Sequence, residues 1–69
     1  MNYTDVKSGD KFTATADIVS NGARFRTGDV VTVRVNGRAM NHVLAVNGRT
    51  KTMRAITYAD FQKWFTEAK

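Results

Sequence analysis

Three Asn-Gly pairs, Asn21-Gly22, Asn36-Gly37 and Asn47-Gly48, punctuate the chain between stretches that alternate apolar and polar residues. Asn-Gly is the preferred centre of a two-residue type I′ hairpin, because both central residues take positive φ and these two tolerate it best. Such a chain is expected to fold back on itself as antiparallel β-structure, reversing at Asn36-Gly37 and at Asn47-Gly48. The tetrapeptide Val-Asn-Gly-Arg occurs twice within this pattern, eleven residues apart. That interval is one strand plus one turn, well short of the roughly 20 residues of a structural repeat.

The stretches between the turns have strand chemistry. Val30-Val31-Thr32-Val33-Arg34-Val35 is β-branched almost throughout, with Val31, Val33 and Val35 expected on one face and Thr32 and Arg34 on the other. Phe12, Ala14, Ala16 and Ile18 alternate with Lys11, Thr13, Thr15 and Asp17 in the same way. The pattern places strands at about 11–18, 24–26, 30–35, 40–46 and 49–55.

The period then changes. Thr57 stands as an N-cap with Asp60 three residues on, and Ile56 can pack on Phe61 as a hydrophobic staple. Phe61, Trp64, Phe65 and Ala68 recur at helical spacing, so a helix over about 58–67 lays one apolar stripe on the sheet. The expected fold is a single domain spanning 1–69, mainly β (α+β), with four to five antiparallel strands and a C-terminal helix.

A chain of 69 residues has little surface to bury, and small domains often add disulfides or a structural metal. With no cysteine and His42 as the sole histidine, neither device is expected, and the core must be hydrophobic packing. No run approaches the roughly 18 apolar residues of a membrane span. The N-terminus has no apolar stretch of signal-peptide type. A soluble, cytoplasmic protein without a membrane partner is expected.

Catalytic constellations are missing from the sequence. Nucleophilic catalysis needs a base beside the nucleophile, and His42 lies in a strand with no evident third group. The six acidic residues are scattered, and neither a phosphate-cradling loop nor a metal-ligand cluster is present. A non-enzyme without cofactor or metal follows.

Charge carries the functional signal. The net charge is +5, and the positive excess is confined to the middle: six arginines and Lys51 between residues 24 and 54 face only Asp29. Arginine suits phosphate and carboxylate through its planar fork, and positive potential concentrated in this way attracts polyanions. Candidate binding residues are Arg24, Phe25, Arg26, Arg34, Arg38, Arg49, Lys51 and Arg54. Arg38 and Arg49 follow turns and are expected to be solvated. The partner read from this surface is the DNA or RNA backbone, bound with little sequence specificity; the alternative is an acidic host protein.

Val6-Lys7-Ser8-Gly9-Asp10-Lys11-Phe12, then Phe25-Arg26-Thr27-Gly28-Asp29-Val30-Val31-Thr32-Val33, then the Asn-Gly turns, resemble the opening of small SH3-like β-barrels. The chain is also similar to short accessory proteins of tailed bacteriophages. The resemblance implies a first strand, a long loop and a turn feeding the second strand. It further implies binding of proline-rich peptides, nucleic acid or proteins, among which fold alone does not choose. The loop at 17–23 has no aromatic and little acid, unlike a proline-motif groove. For a phage-type accessory protein, the resemblance implies docking on a host protein in the bacterial cytoplasm and inhibiting or redirecting it.

Overall fold

The valine-rich segment forms the central strand of a five-stranded antiparallel sheet in the computed structural model, which describes residues 5–68. The elements in chain order are β1 (Lys11–Ala14), β2 (Ile18–Ser20), β3 (Ala23–Phe25), β4 (Val30–Gly37), β5 (His42–Asn47), β6 (Thr52–Thr57), α1 (Tyr58–Trp64) and β7 (Phe65–Glu67). A 3-10 turn at Arg38–Met40 joins β4 to β5. Strands lie in the order β6-β5-β4-β1-β7, while β2 and β3 form a separate hairpin. Among the described residues the protein is mainly β with one short α-helix, and the five-stranded sheet is not closed into a barrel.

The same turn feeds β1 and β4. In Lys7-Ser8-Gly9-Asp10 and Arg26-Thr27-Gly28-Asp29, the aspartate N–H donates to the carbonyl three residues back, at 3.0 and 2.9 Å. Each aspartate Oδ2 accepts in return from the N–H of the turn's first residue, at 2.9 Å in both cases. The glycines have φ of 97° and 91°, as the third position of a type II turn requires. The turns then cross-bond to the opposite strand: Gly9 N–H donates to the Val33 carbonyl at 2.7 Å, and Gly28 N–H to the Ala14 carbonyl at 2.8 Å. Residues 7–14 (KSGDKFTA) and 26–33 (RTGDVVTV) are thus related by a pseudo-twofold axis through the Phe12–Val31 pair.

One face of the sheet is the core. Phe12, Ala14, Val31, Val33, Val43, Ala45, Ile56 and Phe65 are buried on it, and Val6, Ala23, Phe25 and Phe61 close over them. The four phenylalanines pack as a chain: Phe12 meets Phe61 edge-on at 4.6 Å, Phe61 stacks on Phe65 at 5.3 Å, and Phe25 meets Phe65 edge-on at 5.4 Å. Trp64 packs half-buried at the margin of this cluster, with Lys63 Nζ 4.9 Å from its ring centre. Val43 and Ala45 point inward, so His42, Leu44 and Val46 lie on the opposite face.

Several sequence expectations are corrected here. The strand expected over 11–18 ends at Ala14: Thr15 makes a last in-register bond towards β7, its N–H and its hydroxyl both donating to the Trp64 carbonyl, and the chain then turns into the separate β2–β3 hairpin. The helix expected to reach 67 stops at Trp64, and residues 65–67 become a strand paired with β1. Thr57 does cap it, accepting from Asp60 N–H at 3.2 Å. The remaining strands occupy 23–25, 30–37, 42–47 and 52–57, shifted from the expected 24–26, 30–35, 40–46 and 49–55.

The Asn-Gly pairs divide. Asn21-Gly22 is a two-residue hairpin turn with positive φ at both residues, 50° and 79°. Asn36-Gly37, expected as a reversal, lies within β4, where a side chain on Gly37 would stand 3.0 Å from the His42 carbonyl oxygen. The chain reverses instead through Arg38–Met40 and Asn41, whose φ is 56°. Asn47 ends β5, and the reversal follows it at residues 48–51, where Lys51 has φ of 60°.

The expected common face of Val31, Val33 and Val35 is also corrected. The β4–β5 register shifts between Val33 and Val35, so Arg34 is the extra residue of a bulge. Val33 is fully buried, whereas Val35 turns to the other face and is 50% exposed. Asn36 then points inward, donating to the Val6 carbonyl at 3.2 Å and accepting from the Tyr58 hydroxyl.

Candidate functional site

The β2–β3 hairpin lies over the core face of the sheet but does not cover its far end. Ser20, itself buried, donates to Asp60 Oδ2 at 2.8 Å, and Asn21 Nδ2 donates to the Ala55 carbonyl at 3.3 Å. These bonds hold the hairpin tip down on α1 and β6. Between the hairpin and the β5–β6 end of the sheet is a cleft of about 710 Å³. One wall is the hairpin with Val19, Arg24 and Arg26; the other is Arg49, Thr52 and Arg54.

Arg49 belongs to a buried polar knot. Its Nε donates to Asp29 Oδ1 at 2.7 Å and its Nη2 to Asp29 Oδ2 at 3.0 Å, a two-point fork on a carboxylate that is only 6% exposed. Asn47, also buried, donates to Asp29 Oδ2 at 3.0 Å and accepts from Arg49 N–H at 2.8 Å. The hydrogen bonds from Arg49 are the largest cause holding the Asp29 carboxyl well below the usual carboxylate range. Burial opposes them, and bonds from Arg26 N–H and Asn47 reinforce them. The same contact raises the Arg49 guanidinium. Expected to be solvated after its turn, Arg49 instead ties the loop at 48–51 to the turn at 26–29.

Three other arginines are differently placed. Arg24, Arg26 and Arg54 line the cleft, are exposed, and have no carboxylate within ion-pair distance among the described residues. Asp17 is the acid on the rim; its carboxyl is lowered chiefly by hydrogen bonds from Thr27 N–H and hydroxyl, at 2.8 and 3.0 Å. The structure therefore gathers Arg24, Arg26, Arg49 and Arg54 of the sequence candidates around one concavity. Phe25 is 2% exposed and lies at its floor, packed into the core. Lys51 is exposed on the loop beside the cleft without lining it.

Arg34 and Arg38 stand apart. Arg34 is exposed at the bulge, and Arg38 lies beyond the C-terminal end of β4, pairing at 3.2 Å with Asp5 on the surface. Sequence reading missed Asn47 and Asp29, which position Arg49. The signal available was the recurrence of basic-hydroxyl-Gly-Asp at 7–10 and 26–29, which marks both aspartates as turn-closing. Among the described residues no group of three or more His, Cys, Asp or Glu side chains could hold a metal ion, and no helix is long and apolar enough to cross a membrane. Comparison with protein families, with curated proteins and with solved structures finds no match to this chain.

Proposed function

We propose that this protein is a non-enzymatic, SH3-like binding module of the cytoplasm that holds nucleic acid through its phosphates, with little sequence preference. The observation that carries this reading is the convergence of Arg24, Arg26 and Arg54 on one cleft beside the Asp29-held Arg49. Guanidinium groups not already held in an ion pair are free to neutralise phosphates and so release the counterions condensed on the nucleic acid. The SH3-like part is supported by chain order: β1, a long excursion carrying the β2–β3 hairpin, a Gly-Asp turn, then β4, β5 and β6 as adjacent antiparallel strands. Binding of a labelled oligonucleotide at about 50 mM salt tests the function, because phosphate contacts are strong there. Replacing Arg24, Arg26 and Arg54 together with serine removes most of that affinity while the fold persists; unchanged affinity in this variant refutes the site.

A second reading is a phage-type accessory module docking on an acidic host protein, which it inhibits or redirects. Its support is the outward sheet face, where Val30, Val35 and Met53 are exposed beside half-buried Leu44 and Val46. Capture from lysate with and without nuclease separates the two. A stoichiometric protein partner that survives nuclease favours docking, and loss of all partners favours nucleic acid.

A further inference from the structure

We infer that the arginine cleft takes a single strand of nucleic acid and not a duplex, an inference that rests on the nucleic-acid reading above. A duplex presents its phosphates on a convex cylinder, so a protein meets it with an open surface or inserts a helix or β-ribbon into the major groove. Neither is offered here. The arginines lie on the walls of a concavity of about 710 Å³. That is within the roughly 300–1,000 Å³ of sites that enclose small ligands. A duplex can only lie across its rim.

The helix and the hairpin that stands apart from the five-stranded sheet are both held down. Helix α1 has seven residues and buries Phe61 in the core. The tip of the β2–β3 ribbon is folded back, fixed by Ser20 on Asp60 and by Asn21 on the Ala55 carbonyl. Arg34 and Arg38 do not line the cleft. Arg38 lies by the His42 end of β5 and the cleft by the Asn47 end, so the charge converges inward instead of spreading along one face.

The cleft also has apolar surface that a paired base could not use. Val19 is 65% exposed and sits directly across the hairpin from Arg24, with half-buried Ile18 beside it. An unstacked base has a flat apolar face to lay on Val19, and a guanidinium plane can stack on it in turn. In a duplex that face is occupied by neighbouring bases. The aromatic residue of the cleft, Phe25, is 2% exposed and offers no stacking platform, so recognition rests on phosphate charge, guanidinium stacking and apolar contact with Val19, and tolerates any sequence.

Fluorescence anisotropy tests this with a labelled mixed-sequence strand of about 12 nucleotides and with the same strand annealed to its complement. The single strand is expected to bind at least about tenfold more tightly at low salt. Val19→Ser is expected to weaken single-strand binding severalfold without changing its salt dependence. Arg54→Ala flattens the slope of log affinity on log salt by about 0.7, one phosphate contact on a single strand. A duplex bound as tightly as the single strand, or a folded Val19→Ser variant that binds like wild type, overturns the inference and leaves the nucleic-acid reading standing. Binding of neither form overturns both.

Discussion

Asp29 is the residue on which most of the tertiary chemistry converges. A carboxylate 6% exposed survives there because Arg49, Asn47 and the Arg26 N–H all donate to it. Truncating a partner of a buried pair leaves an uncompensated charge, at a cost of about 3–5 kcal/mol for a fully buried one. The Arg49 side chain is 40% exposed and water can partly replace it, so Arg49→Ala is expected to lower the urea midpoint by less than the loss of a fully buried partner would, while leaving the fold in place. The pH dependence follows from the lowered Asp29 carboxyl. Its contribution is fully present above the unfolded value of about 4 and is lost as pH falls towards the folded value. Melting temperatures are therefore expected to fall between about pH 4 and pH 2 more steeply in wild type than in Asp29→Asn. Parallel curves would mean that Asp29 is not a source of the acid sensitivity. Arg49 was legible as a basic residue after a turn, but not as a structural one. Its carboxylate partner lies 20 residues away, and no local pattern connects them.

At the scale of elements, the bulge at Arg34 decides which valines are core. Val33→Asp is expected to unfold the domain, since an unpaired charge would enter a fully buried position. Val35→Asp, two residues on and half-exposed, is expected to change stability by less than about 1 kcal/mol. Strict alternation predicts equal damage at both positions, and circular dichroism with thermal melting separates the two outcomes. The short helix depends on its cap: Thr57→Ala is expected to cost about 1 kcal/mol, read as a lower melting temperature. Strand β4 and the Thr57 cap were legible in the sequence because each is a local signal. β7 was not, because Phe65 and Ala68 continue the helical stripe of Phe61 and Trp64 until β1 offers residues 65–67 an edge to pair with.

Over the whole molecule, the hairpin and the sheet behave as one unit. Ser20 and Asn21 bind the hairpin to α1 and β6, and Phe25 joins the phenylalanine chain of the core. Unfolding is expected to be a single cooperative transition, with an enthalpy of about 50 kcal/mol near 60 °C for a chain of this length. Calorimetric and van't Hoff enthalpies should agree. An early loss of amide protection confined to residues 18–25 would show instead that the hairpin opens independently. Such opening would also dissolve the cleft, since one wall of it is the hairpin.

What the sequence determined by itself was the class of structure and the sign of the surface: β-branched alternation, turn residues, a capped amphipathic end and a central block of arginine. These depend on backbone preference and on charge, both of which act within a few residues. What only the tertiary structure decided was where the chain actually turns and which arginines act together. Asn36 and Asn47 carry the same Val-Asn-Gly-Arg context as a hairpin turn, yet both side chains face inward, to Val6 and Tyr58 in one case and to Asp29 in the other. Burying an amide with its bonds satisfied outweighs a turn preference worth a fraction as much, and those partners exist only after distant segments have met. By the same route Arg49 is claimed by Asp29, while Arg24, Arg26 and Arg54, with no carboxylate at ion-pair distance among the described residues, are left facing the cleft.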